Sequence, residues 1–207
     1  AELSPQSGRL LRALLKAVKG LLTAYIEIFR GTPMIVQAMV VYYGALEYLG
    51  LDIPAMTAAF LVVSVNTGAY MAEILRGGIL SVDRGQKEAA IAVGMTHWQL
   101  MTSVVLPQAV RNTLPSVGNE FVVNIKDSSV LNVISVTELY FTARSVSGTH
   151  YKYFEVFFII SVIYFVLTFT ITRLLRLLEK KLSGGDSYTI YGSQTDAKAE
   201  IKVGGEA

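Results

Sequence analysis

The 207-residue chain is 52% hydrophobic and only 16% charged, against roughly 25% charged residues in a typical soluble domain, which points toward a bilayer. It contains no cysteine, and this excludes disulfides, thiolate metal sites and cysteine nucleophiles. The net charge of +2 is small and the basic residues sit in separated clusters, a distribution that argues against a nucleic-acid partner.

Residues 1–30 read as a basic amphipathic segment. Arg9, Arg12, Lys16 and Lys19 fall toward one side of a helix and Leu10, Leu14, Leu15, Val18 and Leu22 toward the other. That pattern suits a helix lying on a membrane surface or, equally, an ordinary solvated helix face. Residues 31–182 carry four candidate spans, since a membrane-crossing helix needs about twenty mostly apolar residues. They cover about 33–50, 53–75, 108–126 and 153–175. Pro33 opens the first, where a missing N–H costs nothing. In the second, Ser64, Gly68 and Ala72 recur every fourth residue, a small-residue stripe for close packing inside the chain or against a second copy.

Between the second and third spans, residues 83–107 predict two short helices on an elbow. Asp83 and Gln86 have capping-box spacing, and Lys87 to Val93 continue the helix. Gly94 stands where a left-handed residue ends it. Thr96 and Gln99 repeat the capping signal, and the second helix is expected to run to Leu106, with Pro107 interrupting its hydrogen bonds. Ala89 and Ala90 leave the first helix thin on one side, as a docking element requires. The third span, QAVRNTLPSVGNEFVVNIK, is far more polar than the others. Residues 183–207 are polar and glycine-bearing and predict a flexible tail.

Lys and Arg cluster before the first span, between the second and third, and after the fourth, while the other two connections carry few. By the positive-inside rule, both ends of this chain and the 83–107 segment are expected in the cytoplasm. An intramembrane charge costs about 2.5–3.5 kcal/mol on insertion scales, so Arg111, Asn112, Asn119, Glu120, Asn124 and Lys126 predict that the third span lines a water-filled path. Pro115 and Gly118 loosen its backbone ladder, as is tolerated beside a cavity. Asn66, Thr67, Tyr70 and Glu73 of the second span are expected to share that path. In the alternative, Arg111, Glu73 and Lys126 merely anchor span ends at the interfaces. His97 and His150 fall on opposite sides, so no shared metal site is expected. Trp98, Tyr42, Tyr43 and Tyr48 suit interfacial belts.

Glu88, Ala89, Ala90, Gly94, Leu106 and Pro107, with Val104 at the position of the usual isoleucine, resemble the signature of membrane subunits of ATP-binding-cassette importers. FRGTPMIVQ (29–37), NTGAYMAEILRGGI (66–79) and LPQAVRNTLPSVGNEFVVNIKDSSV (106–130) are similar to the polar amino acid permeases of the histidine and glutamine type. The resemblance covers roughly residues 20–180. It implies an all-α polytopic membrane bundle of the type I importer kind, with four spans here and the family's first span absent. It further implies a coupling helix seated on an ATPase subunit dimer that holds ATP and Mg, with no cofactor in this chain. The other implied partners are an extracytoplasmic amino acid binding protein, a second permease copy or related subunit, and membrane lipid.

The absence of a G-x-x-x-x-G-K-[ST] phosphate loop agrees with a transport subunit that is not itself an enzyme. Within that reading, Glu120 with Asn119 or Asn124 is the candidate acceptor for a substrate ammonium group; it serves otherwise as a counter-charge to Arg111 or Lys126. The alternatives at this stage are a membrane scaffold subunit and a permease for a different small solute.

Overall fold

The computed structural model describes residues 9–183, and every regular element among them is helical. The expected tail lies outside these residues, save Ser183. In order they are α1 (Arg9–Gly31), α2 (Met34–Leu49), α3 (Ala55–Leu80), α4 (Arg84–Ala92), α5 (His97–Gln99), a π-helical turn (Leu100–Val105), α6 (Leu106–Asp127), a 3-10 segment (Ser128–Ile134), α7 (Leu139–His150) and α8 (Tyr153–Ser183). Helix α3 is central, packing against α1, α2 and α6, while α6 is held between α3 and α8. After α6 the 3-10 segment folds back onto α2.

The distribution of side chains is that of a protein built for lipid. Buried positions are small or polar, with Ala38, Ala58, Ala59 and Val62 packed on Leu131, Ile134 and Val136, and Gln37, Asn66, Thr113 and Glu120 also inside. Long apolar residues such as Phe158, Phe165, Val166 and Phe169 of α8 face outward. Lipid tails provide no hydrophobic drive for helix association, so small residues and interhelical hydrogen bonds must supply it. Where α3 crosses α6, a Cβ on Gly78 would overlap Thr113 Cγ2 and meet the Ala109 carbonyl at 3.0 Å. On the other side of α3, Tyr25 of α1 donates to the Val65 carbonyl at 2.6 Å. A Cβ on Gly68 would lie 2.8 Å from that phenol oxygen, so the middle of the small-residue stripe is occupied within the chain.

Helices α3 and α8 are long and apolar enough to cross a membrane by themselves. Helix α2 has 16 residues, a rise of about 24 Å. It starts beside the interior of α3, and the preceding break has a covalent cause. Pro33 has no N–H, so the Phe29 carbonyl loses its i+4 donor and α1 stops. Gln37 Nε2 donates to the Phe29 carbonyl at 3.0 Å, to the Thr32 carbonyl at 2.9 Å and to Thr32 Oγ1 at 2.8 Å. Asn66 Nδ2 donates to the same Phe29 carbonyl and to Gln37 Oε1, both at 3.0 Å. One orphaned carbonyl thus ties three helices. No buried side-chain nitrogen or oxygen among the described residues lacks a partner.

Of the segment 1–30, expected to lie at a membrane or solvent surface, residues 1–8 lie outside the described residues, and the part within α1 is joined to the bundle through Tyr25 and Phe29, although Leu10, Leu14, Leu21 and Leu22 remain exposed. The joint makes a stability prediction. Asn66→Leu leaves Gln37 Oε1 without its donor and should destabilise the purified protein by about 1–2 kcal/mol, read as a lowered unfolding midpoint in denaturant. Thr67→Val, which removes a single bond to Asn124, should cost less; an equal or reversed ranking would refute the joint's importance.

Candidate functional site

The 83–107 segment folds as an elbow, with three differences from the expectation. Asp83 caps α4 by accepting from the Gly85 amide at 2.6 Å, and no reciprocal bond from Gln86 completes a capping box, because the carboxylate takes the nearer amide. Gly94, at φ +83, is left-handed as its position required. Its amide donates to the Ile91 carbonyl at 2.9 Å, and Met95 donates to Ala90 at 3.1 Å, the paired bonds of a Schellman ending. Thr96 and Gln99 do form the reciprocal capping box of α5.

The second difference concerns Pro107, which does not interrupt the helix. From His97 the chain stays helical through the π turn into α6 and on to Asp127. The wider turn, with Leu106 N–H bonded to the Met101 carbonyl, relieves the clash that a proline ring makes with the preceding turn of a regular α-helix. Gln108 Nε2 donates to the Val104 carbonyl at 2.9 Å across this transition. The two short helices are thus one short helix and one long rod.

The third difference is Ala90, which is buried against Val82, Leu100, Val105 and Ala109, whereas Ala89 is exposed. Lys87 Nζ reaches the Ile79 carbonyl at 3.3 Å and pins α4 to the end of α3. Glu88 pairs with Arg84 at 2.7 Å on the exposed side, a contact worth little by itself. Leu106 and Pro107 lie exposed where the rod leaves the elbow. Around Gly94 the structure gathers exposed apolar residues that the sequence reading did not single out for docking: Ile91, Val93 and Trp98, the last 76% exposed. Three large apolar side chains lie exposed on one short segment.

The second group of expected site residues lies where α3 meets α1 and α6. Asn66, Tyr70 and Glu73 occupy one helical stripe of α3 at i, i+4 and i+7. Asn66 is committed to the three-helix joint. The Arg30 guanidinium lies 5.5 Å from the centre of the Tyr70 ring, and Glu73 is ion-paired with Arg76 on its own helix. Thr67 faces the other way and donates to Asn124 Oδ1 of α6 at 3.1 Å. Glu120 is buried on α6, within electrostatic reach of Arg30, which attracts it, and of Asp127, which repels it.

Asn119 is exposed and, one residue from Glu120, points off that face, whereas Asn124 at i+4 shares it. Arg111 and Lys126 are also exposed and form no ion pair with Glu120. Arg30 and Gln37 were the residues missed; both lie in the FRGTPMIVQ string, and Pro33 was the signal that an unpaired carbonyl four residues earlier would need side-chain donors. Beside Asn124, a cleft of about 380 Å3 between α6, α7 and α8 is lined by Ser128, Glu138 and Tyr164 among others. Glu138 caps α7 through the Tyr140 and Phe141 amides and accepts from Tyr164 at 3.3 Å.

Comparison with known proteins fits this arrangement. The chain is 38% identical to the arginine transport system permease protein ArtQ of Bacillus subtilis, over 78% of this chain and 74% of that protein. It is 36% identical to the glutamine transport system permease protein GlnP of Escherichia coli K12, over 76% and 73%. Among solved structures it is similar to that of an amino acid ABC transporter with histidines, with 44% identity and a TM-score of 0.76 over 80% of this chain and 77% of that one. The inward-facing MetNI methionine ABC transporter shares the fold at 18% identity and a TM-score of 0.59. With residues 8–184 matching the family's pattern throughout, the chain belongs to the inner membrane components of binding-protein-dependent transport systems.

Proposed function

We propose that this chain is the permease subunit of an ABC importer for polar amino acids of the glutamine, glutamate, histidine and arginine class, in the cytoplasmic membrane of a prokaryote. The observation that carries it is the unbroken helical course from the elbow at Gly94 to the buried Glu120. Force applied at α4 and α5 is transmitted along α5, the π turn and α6 to the polar stretch, because a helical rod resists compression along its axis.

In this reading the elbow faces the cytoplasm and seats against an ATPase subunit, with Ile91, Val93 and Trp98 covered by that partner. ATP and Mg belong to the ATPase dimer, and this chain performs no chemistry. An extracytoplasmic binding protein delivers substrate, and a second permease copy or a related subunit completes the path. The relatives named for arginine and glutamine transport support the substrate class. So does the charge pattern: Glu120 offers an acceptor for an ammonium group, and Arg30, within its electrostatic reach, offers donors for a carboxylate.

Two substitutions test the two halves of the proposal in proteoliposomes holding the complete transporter. At Gly94 a Cβ would meet nothing of this chain within 4 Å, so Gly94→Trp should place its ring in the space reserved for the ATPase. Amino acid uptake should be abolished while ATP hydrolysis continues; Gly94→Asn, which tolerates a left-handed backbone, should keep the two coupled. Retained uptake in the tryptophan variant would break the coupling assignment. For the site, Glu120→Gln should lower the apparent affinity for the transported amino acid by about tenfold or more, the value of one charge-assisted hydrogen bond. An unchanged concentration dependence would remove Glu120 from substrate binding.

A further inference from the structure

A groove on the outer side of the α6–α8 contact has no place in the function described above. It encloses about 210 Å3, and its walls include Val122 and Lys126 of α6 and Phe165, Phe169, Arg173 and Arg176 of α8. Lys126, Arg173 and Arg176 are all exposed, and none of the three forms an ion pair among the described residues. No carboxylate lines the groove there. Arg173 lies with its guanidinium 4.9 Å from the centre of the Phe169 ring, which holds the cation against the groove wall. The remaining lining residues, Thr168 and Thr172, turn their hydroxyls back to the Tyr164 and Thr168 carbonyls at 2.7 Å and leave the three cations as the main donors.

Cations on a lipid-facing surface without a counter-charge are expensive. Here three line one groove, on two helices of a membrane protein, one of them the more apolar of the two helices long enough to cross a membrane and almost wholly unburied. The missing partner is therefore an anion that reaches the groove from the lipid side. The apolar wall made by Val122, Phe165 and Phe169 continues into exposed Val162 and Val166 along α8, so the occupant also presents a hydrocarbon surface. A headgroup phosphate and the upper part of an acyl chain match both features, and basic pockets between membrane helices are a known mode of binding anionic headgroups.

We propose that the α6–α8 groove binds an anionic phospholipid, its phosphate held by Lys126, Arg173 and Arg176 and its acyl chain lying along Val122, Phe165 and Phe169. Among the described residues no ion pair links Lys126, Arg173 or Arg176 to Glu120, Asn124 or the elbow. The site gives the transporter a response to the charge of its membrane that a change of substrate does not alter.

The test uses the complete transporter in nanodiscs of phosphatidylcholine alone or of an equal mixture with phosphatidylglycerol, with retained lipid counted by native mass spectrometry after release. The wild-type complex should keep phosphatidylglycerol in preference to phosphatidylcholine. Lys126→Gln, Arg173→Gln and Arg176→Gln should each weaken that preference roughly fivefold, the effect of one basic residue near a charged lipid surface. The Arg173→Lys, Arg176→Lys pair should keep most of it. Each single variant leaves two cations in place, so the test does not require removing the whole cluster. Equal retention in the glutamine and lysine variants would overturn the proposal. So would displacement of the lipid by inorganic phosphate, which would assign the groove to a free anion. A changed number of permease subunits with phosphatidylglycerol retention unaltered would assign it to a second subunit, with the same consequence.

Discussion

The architecture depends on one missing hydrogen. Pro33 cannot donate to the Phe29 carbonyl, and in a membrane no water is at hand to replace it. The chain answers with two amides from different helices, Gln37 on α2 and Asn66 on α3, and in doing so fixes the end of α1, the start of α2 and the middle of α3 relative to one another. Everything near the candidate site inherits that geometry. Arg30 comes over Tyr70 because α1 ends where it does, and Glu120 then has a cation within electrostatic reach. An uninterrupted helix through residue 33 would satisfy its own carbonyls and take from both amides the Phe29 acceptor they share.

The two sides of α3 are held in different ways. Toward α1 and α2 several hydrogen bonds converge on a buried joint. Toward α6 the described side-chain bonds are Thr67 to Asn124 and Asn112 to Ser81, at 3.1 and 2.9 Å, with close contact through Gly78 between them. Interhelical hydrogen bonds in membranes contribute on the order of 0.6 kcal/mol each, so close packing supplies most of the α3–α6 interface, the most extensive helix pair among the described residues. Helix α6 is also continuous with the elbow, so in the proposed mechanism a push there acts directly on this interface.

Much of this was legible in the sequence, for identifiable reasons. The left-handed glycine and the Thr96–Gln99 cap are local, set by backbone sterics and side-chain reach within a few residues, and both appear as expected. The positions of α3 and α8 follow from apolar length, which also needs no tertiary knowledge. The reading of Pro107 as a break failed because a proline has two outcomes, interruption or a widened turn, and the choice rests on what surrounds it. Here Leu100 and Val105 pack into the cluster with Val82 and Ala90, so the helix continues. Asn66 shows the same limit from another direction. An asparagine within a span signals a polar partner, yet nothing in its own neighbourhood says that the partner is a carbonyl freed by a proline more than thirty residues earlier.

Burial in this chain is inverted relative to a soluble domain, and that inversion separates the polar residues into kinds. A polar side chain that is buried and fully bonded, such as Gln37 or Asn66, serves the architecture. Glu120 sits at a buried position, yet no hydrogen bond from a described residue reaches its carboxylate, whose oxygens therefore keep some exposure, while a guanidinium acts on it from another helix. A carboxylate with room for a further donor is what the proposed substrate role requires. Lys126, Arg173 and Arg176 form the third kind, exposed around a groove that no carboxylate lines, and for them the proposed partner is a ligand from the bilayer. On these proposals the partner of each group differs in charge: for Glu120 it carries a cation, and for the α6–α8 groove an anion.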